Sequence, residues 1–158
     1  MAQDEWISWW LLQQLGLKQR LIVEVLEFYH HPNNLFQSQD LSPLPEGLQN
    51  KIKALQDQGE LHPLYLSAKE IQEQAAKQNV HLIGFDHPAY PELLKEIHQP
   101  PYILYVKGDV SVMNNMQLAV VGARKATPLA MQLCRDWCGA LAKAGITPTS
   151  MMDISDGL

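Results

Sequence analysis

The residues best suited to chemistry lie in Val121-Gly122-Ala123-Arg124-Lys125-Ala126-Thr127-Pro128, where a guanidinium and an ammonium stand side by side just after a glycine. A planar guanidinium grips a phosphate through two hydrogen bonds, while an ammonium contributes mainly a point charge. Arg124 is therefore the first candidate for holding a phosphate and Lys125 the second. An exposed Arg-Lys pair on an ordinary strand-to-helix loop is the alternative that these residues alone leave open. Other phosphate-binding loops are excluded, because the chain contains neither G-x-G-x-x-G nor G-x-x-x-x-G-K-[ST]. The six histidines are scattered, with His30-His31 and His87 in turns, and no Ser/His/Asp or Cys/His arrangement stands out. No catalytic group and no metal site is expected.

Two elements must position this loop. Leu118-Ala119-Val120-Val121 reads as a buried strand of the continuous apolar kind. Thr127 is a good N-cap and Pro128 suits the first helical position, so a helix is expected to run to about Ala144 and end at Gly145. Its buried face is expected to hold Leu129, Leu133, Cys134, Trp137 and Leu141. A loop between the carboxyl end of a parallel strand and a helix N-terminus is where open α/β sheets bind ligands, and free amides at the helix start favour an anion. Cys134 and Cys138 share one face of this helix. The default for them is a buried thiol pair, since two thiols supply at most half of a zinc site.

Upstream, Val80-Leu82-Ile83 and Tyr102-Ile103-Leu104-Tyr105-Val106 read as strands. Between them lie the turn cluster Asp86-His87-Pro88-Ala89-Tyr90-Pro91 and a short helix with Leu93, Leu94 and Ile97, stopped by Pro100-Pro101. Strand, helix and strand alternate, which points to an α/β fold from residue 80 onward. Residues 1–79 read as an all-helical domain. Trp6, Trp9, Trp10 and Gln13 recur at helical spacing and are taken as core; Leu21, Ile22, Val25, Leu26 and Tyr29 repeat the pattern after Gly16. Leu48, Ile52 and Leu55 mark a third helix, and Ser67-Ala68-Lys69-Glu70 reads as a capping box opening a fourth. Leu15-Gly16-Leu17-Lys18 resembles a degraded helix-hairpin-helix turn, with lysine where a second glycine belongs.

The formal charge of the 158 residues is −5, unevenly spread. Residues 1–106 carry net −6, whereas residues 107–148 carry net +3, from Lys107, Arg124, Lys125, Arg135 and Lys143 against Asp109 and Asp136. An acidic whole argues against coating nucleic acid by bulk charge but leaves room for a local basic site. Apolar runs are too short for a membrane span and the start is not that of a signal peptide, so a cytoplasmic protein is expected.

From about Gly84 to Thr147 the chain resembles the DprA/Smf family of DNA-processing proteins. The resemblance rests on Tyr90-Pro91 with Leu93, Leu94 and Ile97, then Pro100-Pro101, Leu104-Tyr105 and Lys107-Gly108-Asp109, the stretch from Val120 to Pro128, and Leu141-Ala142-Lys143-Ala144-Gly145-Ile146-Thr147. It implies a partial Rossmann-like parallel sheet over 80–158, preceded by the small helical domain, of SAM or helix-hairpin-helix type, over 1–79. It also implies single-stranded DNA binding and loading of RecA recombinase during natural transformation, without cofactor or turnover. Arg124 would contact DNA phosphate, with Gly122 and Ala123 shaping the loop and Lys125 and Thr127 beside it. A Rossmann-like phosphoribohydrolase, holding a nucleotide phosphate on the same arginine, is the enzymatic alternative; the catalytic glutamate and glycine-rich loop it needs are not found.

Two departures from the family pattern stand out. An aromatic-glycine pair is replaced by Leu129-Ala130, and after Ile146 the expected Ser-Gly-Leu-Ala-x-Gly-Ile-Asp gives way to Ser150-Met151-Met152-Asp153-Ile154-Ser155-Asp156-Gly157-Leu158. The stretch 148–158 is similar instead to an Asp-Ile-Ser-Asp-Gly-Leu motif of thiamine-monophosphate kinases. A chimeric or frameshifted junction near 145–148 and a diverged, truncated family member are the two expectations for this end. In either case the sheet would lack several βα units, leaving an inactive fragment as a third functional reading, and a homodimer is not expected because the family's dimer surface lies beyond Leu158.

Overall fold

A computed structural model describes residues 5–123 and 125–150. The chain divides into two compact units, Met1–Val110 and Ser111–Leu158. Its architecture is a helical N-terminal region followed by small antiparallel and parallel sheets, a partial α/β Rossmann-like arrangement.

In the first unit α1 (Glu5–Gln14) is hydrophobic nearly all round: Trp6, Trp9, Trp10, Leu11 and Leu12 are all buried, while Gln13 is exposed. The tryptophans are core, as their spacing suggests, but the helix is not amphipathic. It is wrapped on several sides by α3 (Pro32–Gln37), α5 (Pro63–Lys77) and the strand pair β1 (Val80–Gly84) and β2 (Ile103–Lys107), the situation in which a helix carries no polar stripe. α2 (Gln19–Tyr29) buries Ile22, Val25 and Tyr29 on one face, and α4 (Glu46–Gln58) buries Leu48, Ile52 and Leu55. Gly16, at φ +64°, makes the left-handed turn between α1 and α2.

Three His-Pro dipeptides punctuate this unit in the same way. The Nδ1 atoms of His31, His62 and His87 accept the backbone N–H two residues on, from Asn33 at 3.0 Å, Leu64 at 3.1 Å and Ala89 at 3.0 Å. His31 and His62 thereby cap α3 and α5, each with proline in the first turn. The helix expected to open at Ser67 therefore starts earlier, at Pro63, and Ser67-Ala68-Lys69-Glu70 lies inside it.

β1 and β2 form an antiparallel pair of their own, Val80 opposite Lys107 and Gly84 opposite Ile103, with the short helix α6 (Glu92–Lys95) between them in the chain. This pair packs on α1 and α5, within the first compact unit. Gly84 permits that packing: a Cβ there would lie 3.2 Å from both the Trp6 Cα and the Trp9 Cδ1.

The second unit holds β3 (Gln117–Ala119), α7 (Pro128–Lys143) and β4 (Thr147–Thr149), with β3 and β4 parallel and Leu118 opposite Pro148. The Thr147 N–H donates to the Met116 carbonyl at 2.8 Å and the Val120 N–H to the Thr149 carbonyl at 2.7 Å. This register turns the nitrogen of Pro148 toward the other edge of β4, where the missing donor discourages a further strand. Gly145, at φ +81°, follows the helix end at Ala144 as expected.

Burial in this unit departs from expectation. β3 is exposed and Val121 is 91% exposed, while Leu129, Leu133 and Trp137 are also exposed, Trp137 at 71%. Cys134 is exposed as well; only Cys138 and Leu141 are half-buried on α7. Two strands of three residues cover about 10 Å of a helix about 24 Å long, so most of its apolar surface has nothing to pack on among the described residues of this unit.

Candidate nucleic-acid interface

The loop between β3 and α7 is built as its residue types dictate. Thr127 has extended backbone angles (φ −68°, ψ 155°); its hydroxyl accepts the Ala130 N–H at 3.2 Å and its carbonyl accepts the Met131 N–H at 3.0 Å. Pro128 needs no partner. Among the described residues, the Leu129 N–H is then the first-turn donor left to solvent or to an anion, at the positive end of the helix dipole. Gly122 has no heavy atom within 4 Å of the position a Cβ would take and does not adopt a positive φ. Its lack of a side chain is therefore not demanded by the chain itself; what it provides is an open approach to the backbone.

Gly122, Ala123, Lys125 and Thr127 are all exposed. Lys125 pairs with no acidic group among the described residues. Arg124, the leading candidate for the phosphate, lies outside the described residues, as do residues 151–158 of the stretch 148–158 that resembles the kinase motif. The carboxyl end of β4 lies beside the start of this loop, through the bond between Val120 and Thr149.

A second polar cluster, in the first unit, was not foreseen. Asp86 accepts the Trp9 Nε1–H at 2.7 Å and stands 2.6 Å from His31 Nε2, so one carboxylate ties α1 to the start of α3. His31 Nδ1 already accepts the Asn33 amide, so Nε2–H is the donor to Asp86. Trp9 stacks on Tyr102 with centroids 5.5 Å apart and meets Phe85 at 5.1 Å. Lys95 lies 5.7 Å above Phe85 and 5.8 Å above Tyr90, and the buried Tyr90 donates to the Pro101 carbonyl at 2.6 Å. Burial pushes the phenols of Tyr90 and Tyr102 up. His31 also lines a cavity of about 380 Å³ with Ser8, Tyr65 and Lys69, whose ammonium is held by Glu60 at 2.6 Å. The sequence marked Asp86-His87-Pro88 as a turn, but nothing in it links residue 86 to residues 9 and 31.

No group of three or more metal-ligating side chains occurs among the described residues, and none of their helices is long and apolar enough to cross a membrane.

Residues 81–152 match the family described as DNA recombination-mediator protein A, a stretch that spans β1 through β4. Among curated proteins, Protein Smf of Borreliella burgdorferi is 34% identical over 84 residues, covering 51% of this chain and 26% of that protein. Protein Smf of Escherichia coli is 38% identical over 72 residues (46% of this chain, 19% of that protein). The DNA processing protein DprA of Bacillus subtilis is 25% identical over 97 residues (61% of this chain, 33% of that protein). The chain is thus similar to DprA/Smf DNA-processing proteins, and it spans between about a fifth and a third of their length. No solved structure matches it significantly.

Proposed function

We propose that this chain is a DNA-processing module of the DprA/Smf type that binds single-stranded DNA, without catalysis, through the loop 121–127 at the head of α7. The observation that carries the reading is the match over 81–152, which includes the whole β3–loop–α7–β4 unit. In this reading residues 80–158 are the Rossmann-like part and residues 1–79 the helical domain. Arg124 grips a backbone phosphate bidentately, Lys125 adds a second positive charge, and the Leu129 amide and helix dipole complete the anion site. Gly122 and Ala123 keep the approach clear, and Thr127 holds the helix end in place. Loading of RecA onto the bound strand during natural transformation, in the cytoplasm, is the further step in the same proposal.

The test is fluorescence anisotropy of a labelled single-stranded oligonucleotide and its duplex, at two salt concentrations, with the wild type and Arg124→Ala. Expected are preference for the single strand, weakening with salt, and a salt slope shallower by about 0.7 in the variant, the value for one lost phosphate contact on a single strand. Equal affinity of wild type and variant, both shown folded by circular dichroism, would overturn the assignment of Arg124. Absence of binding by the folded wild type would overturn the proposed function of this chain.

A further inference from the structure

Cys134 and Cys138 are one helical turn apart on α7, and their sulfurs, 3.8 Å apart, share a thiol hydrogen bond and no disulfide. Cys134 is exposed and Cys138 only half-buried, so both thiols can be reached from solvent. This separation distinguishes between the two things a thiol pair can do. A disulfide needs Cβ atoms about 3.5–4.5 Å apart, whereas residues four apart on an α-helix hold them about 5–6 Å apart, so closing the bond would distort the helix. A bridging ion imposes no such demand. With metal–sulfur bonds of about 2.3 Å, two corners of a tetrahedron lie about 3.8 Å apart, which is the separation already present.

We propose that Cys134 and Cys138 form a bidentate dithiolate site for a thiophilic divalent cation of the zinc and cadmium class, independent of the nucleic-acid loop. Binding is an exchange of protons for metal: one divalent ion displaces the protons of both thiols, forms two metal–sulfur bonds and releases two protons, with water in the remaining positions. No electron is transferred. Because each bound thiol must give up its proton, uptake strengthens as pH rises.

The experiment is a titration of the full chain with cadmium chloride, the thiols being kept reduced by a phosphine. The ultraviolet charge-transfer absorption of the cadmium–thiolate bond and the protons released are followed together. Expected are saturation at one cadmium per chain, two protons per cadmium, and an affinity lower by about two orders of magnitude or more in either Cys134→Ser or Cys138→Ser, because the second thiolate binds as an intramolecular ligand. Phenylarsine oxide, which condenses with two adjacent thiols to give an arsenic dithiolate and water, should abolish the cadmium band in the wild type. That arm does not depend on the variants folding. No charge-transfer band in the reduced wild type, a band unchanged in either serine variant or after phenylarsine oxide, or ready closure of a 134–138 disulfide by diamide would each overturn the proposal.

Discussion

Replacing Asp86 should loosen the first unit by an amount set by the two bonds its carboxylate accepts. The Trp9 indole is 4% exposed, so its N–H has no ready substitute when the 2.7 Å bond to Asp86 is lost. A hydrogen bond to a charged group contributes about 1.5–3 kcal/mol. The Asp86 side chain is a third exposed and that of His31 29% exposed, so water compensates in part: the bond from the buried Trp9 falls at the lower end of that range and the more exposed His31 bond below it. Asp86→Ala should then cost about 2.5 kcal/mol, the Trp9 bond supplying the larger share. For a unit of this size that lowers the melting temperature by about 10–15 °C. Asp86→Asn separates the two bonds: its carbonyl still accepts from Trp9, but its amide turns a donor toward the Nε2–H of His31, whose tautomer the Asn33 bond fixes. That variant should lose only about 1 kcal/mol. Thermal unfolding followed by tryptophan fluorescence and circular dichroism measures both. A shift below about 3 °C for the alanine variant, or equal shifts for the two, would refute the view that Asp86 joins α1 to α3.

Other substitutions test separate links in the same chain of reasoning. Gly84→Ala sets a methyl group 3.2 Å from the Trp6 backbone and should cost about 1–3 kcal/mol, read as a lower urea midpoint with an unchanged slope. Gly122→Ala meets open space and should leave the melting temperature within about 2 °C while weakening single-stranded DNA binding in anisotropy; a stability loss would place its role in the fold instead. His62→Ala should cost about 1 kcal/mol through loss of the α5 cap, and His62→Asp, whose carboxylate can take the Leu64 amide, should restore most of it in chemical denaturation. The phenols of Tyr29, Tyr65, Tyr90 and Tyr102 are all raised above 10.0, burial being the first cause of each. The unfolded chain therefore loses those protons first, so their contribution is intact below pH 10 and declines above it. Urea midpoints measured between pH 9 and 11.5 should fall steeply past 10, and less so for Tyr90→Phe.

Much of the local structure was legible because it depends on neighbours in sequence. The capped start of α7 at Thr127-Pro128, its end before Gly145, the strand ending at Gly84 and the helix through Leu48, Ile52 and Leu55 were all readable from residue type and spacing. What escaped reading depends on contacts across the chain or on unusual chemistry at a familiar place. His31-Pro32 reads as turn material, which hides α3, and a capping box at Ser67 draws the expected start of α5 away from His62-Pro63; a histidine accepts an N-cap bond only in one neutral tautomer, and it is rarely counted as a cap. The apolar run of α1 looked like one stripe and is instead a helix buried on several sides, a difference periodicity cannot register once the polar positions are few.

The candidate loop illustrates a third kind of limit. Its residue types name a phosphate site, and its strand, cap and helix are formed as those types require, yet Val121, Leu129 and Trp137 remain exposed around it. Local signals specify such a junction because capping and a three-residue ladder need only adjacent residues. Burial of its flanks is a property of layers, and β3 with β4 supplies a single narrow one. The two requirements of an anion site therefore separate here: a donor oriented by the α7 terminus, the Leu129 N–H, is present, while a surrounding apolar wall that would strengthen its pull on a phosphate by excluding water is absent among the described residues of this unit. Binding at this loop should accordingly be strongly sensitive to salt, since exposed charges are screened beyond about 8–10 Å at physiological ionic strength. Affinity nearly independent of salt between 50 and 200 mM would show that the contact lies elsewhere in the chain.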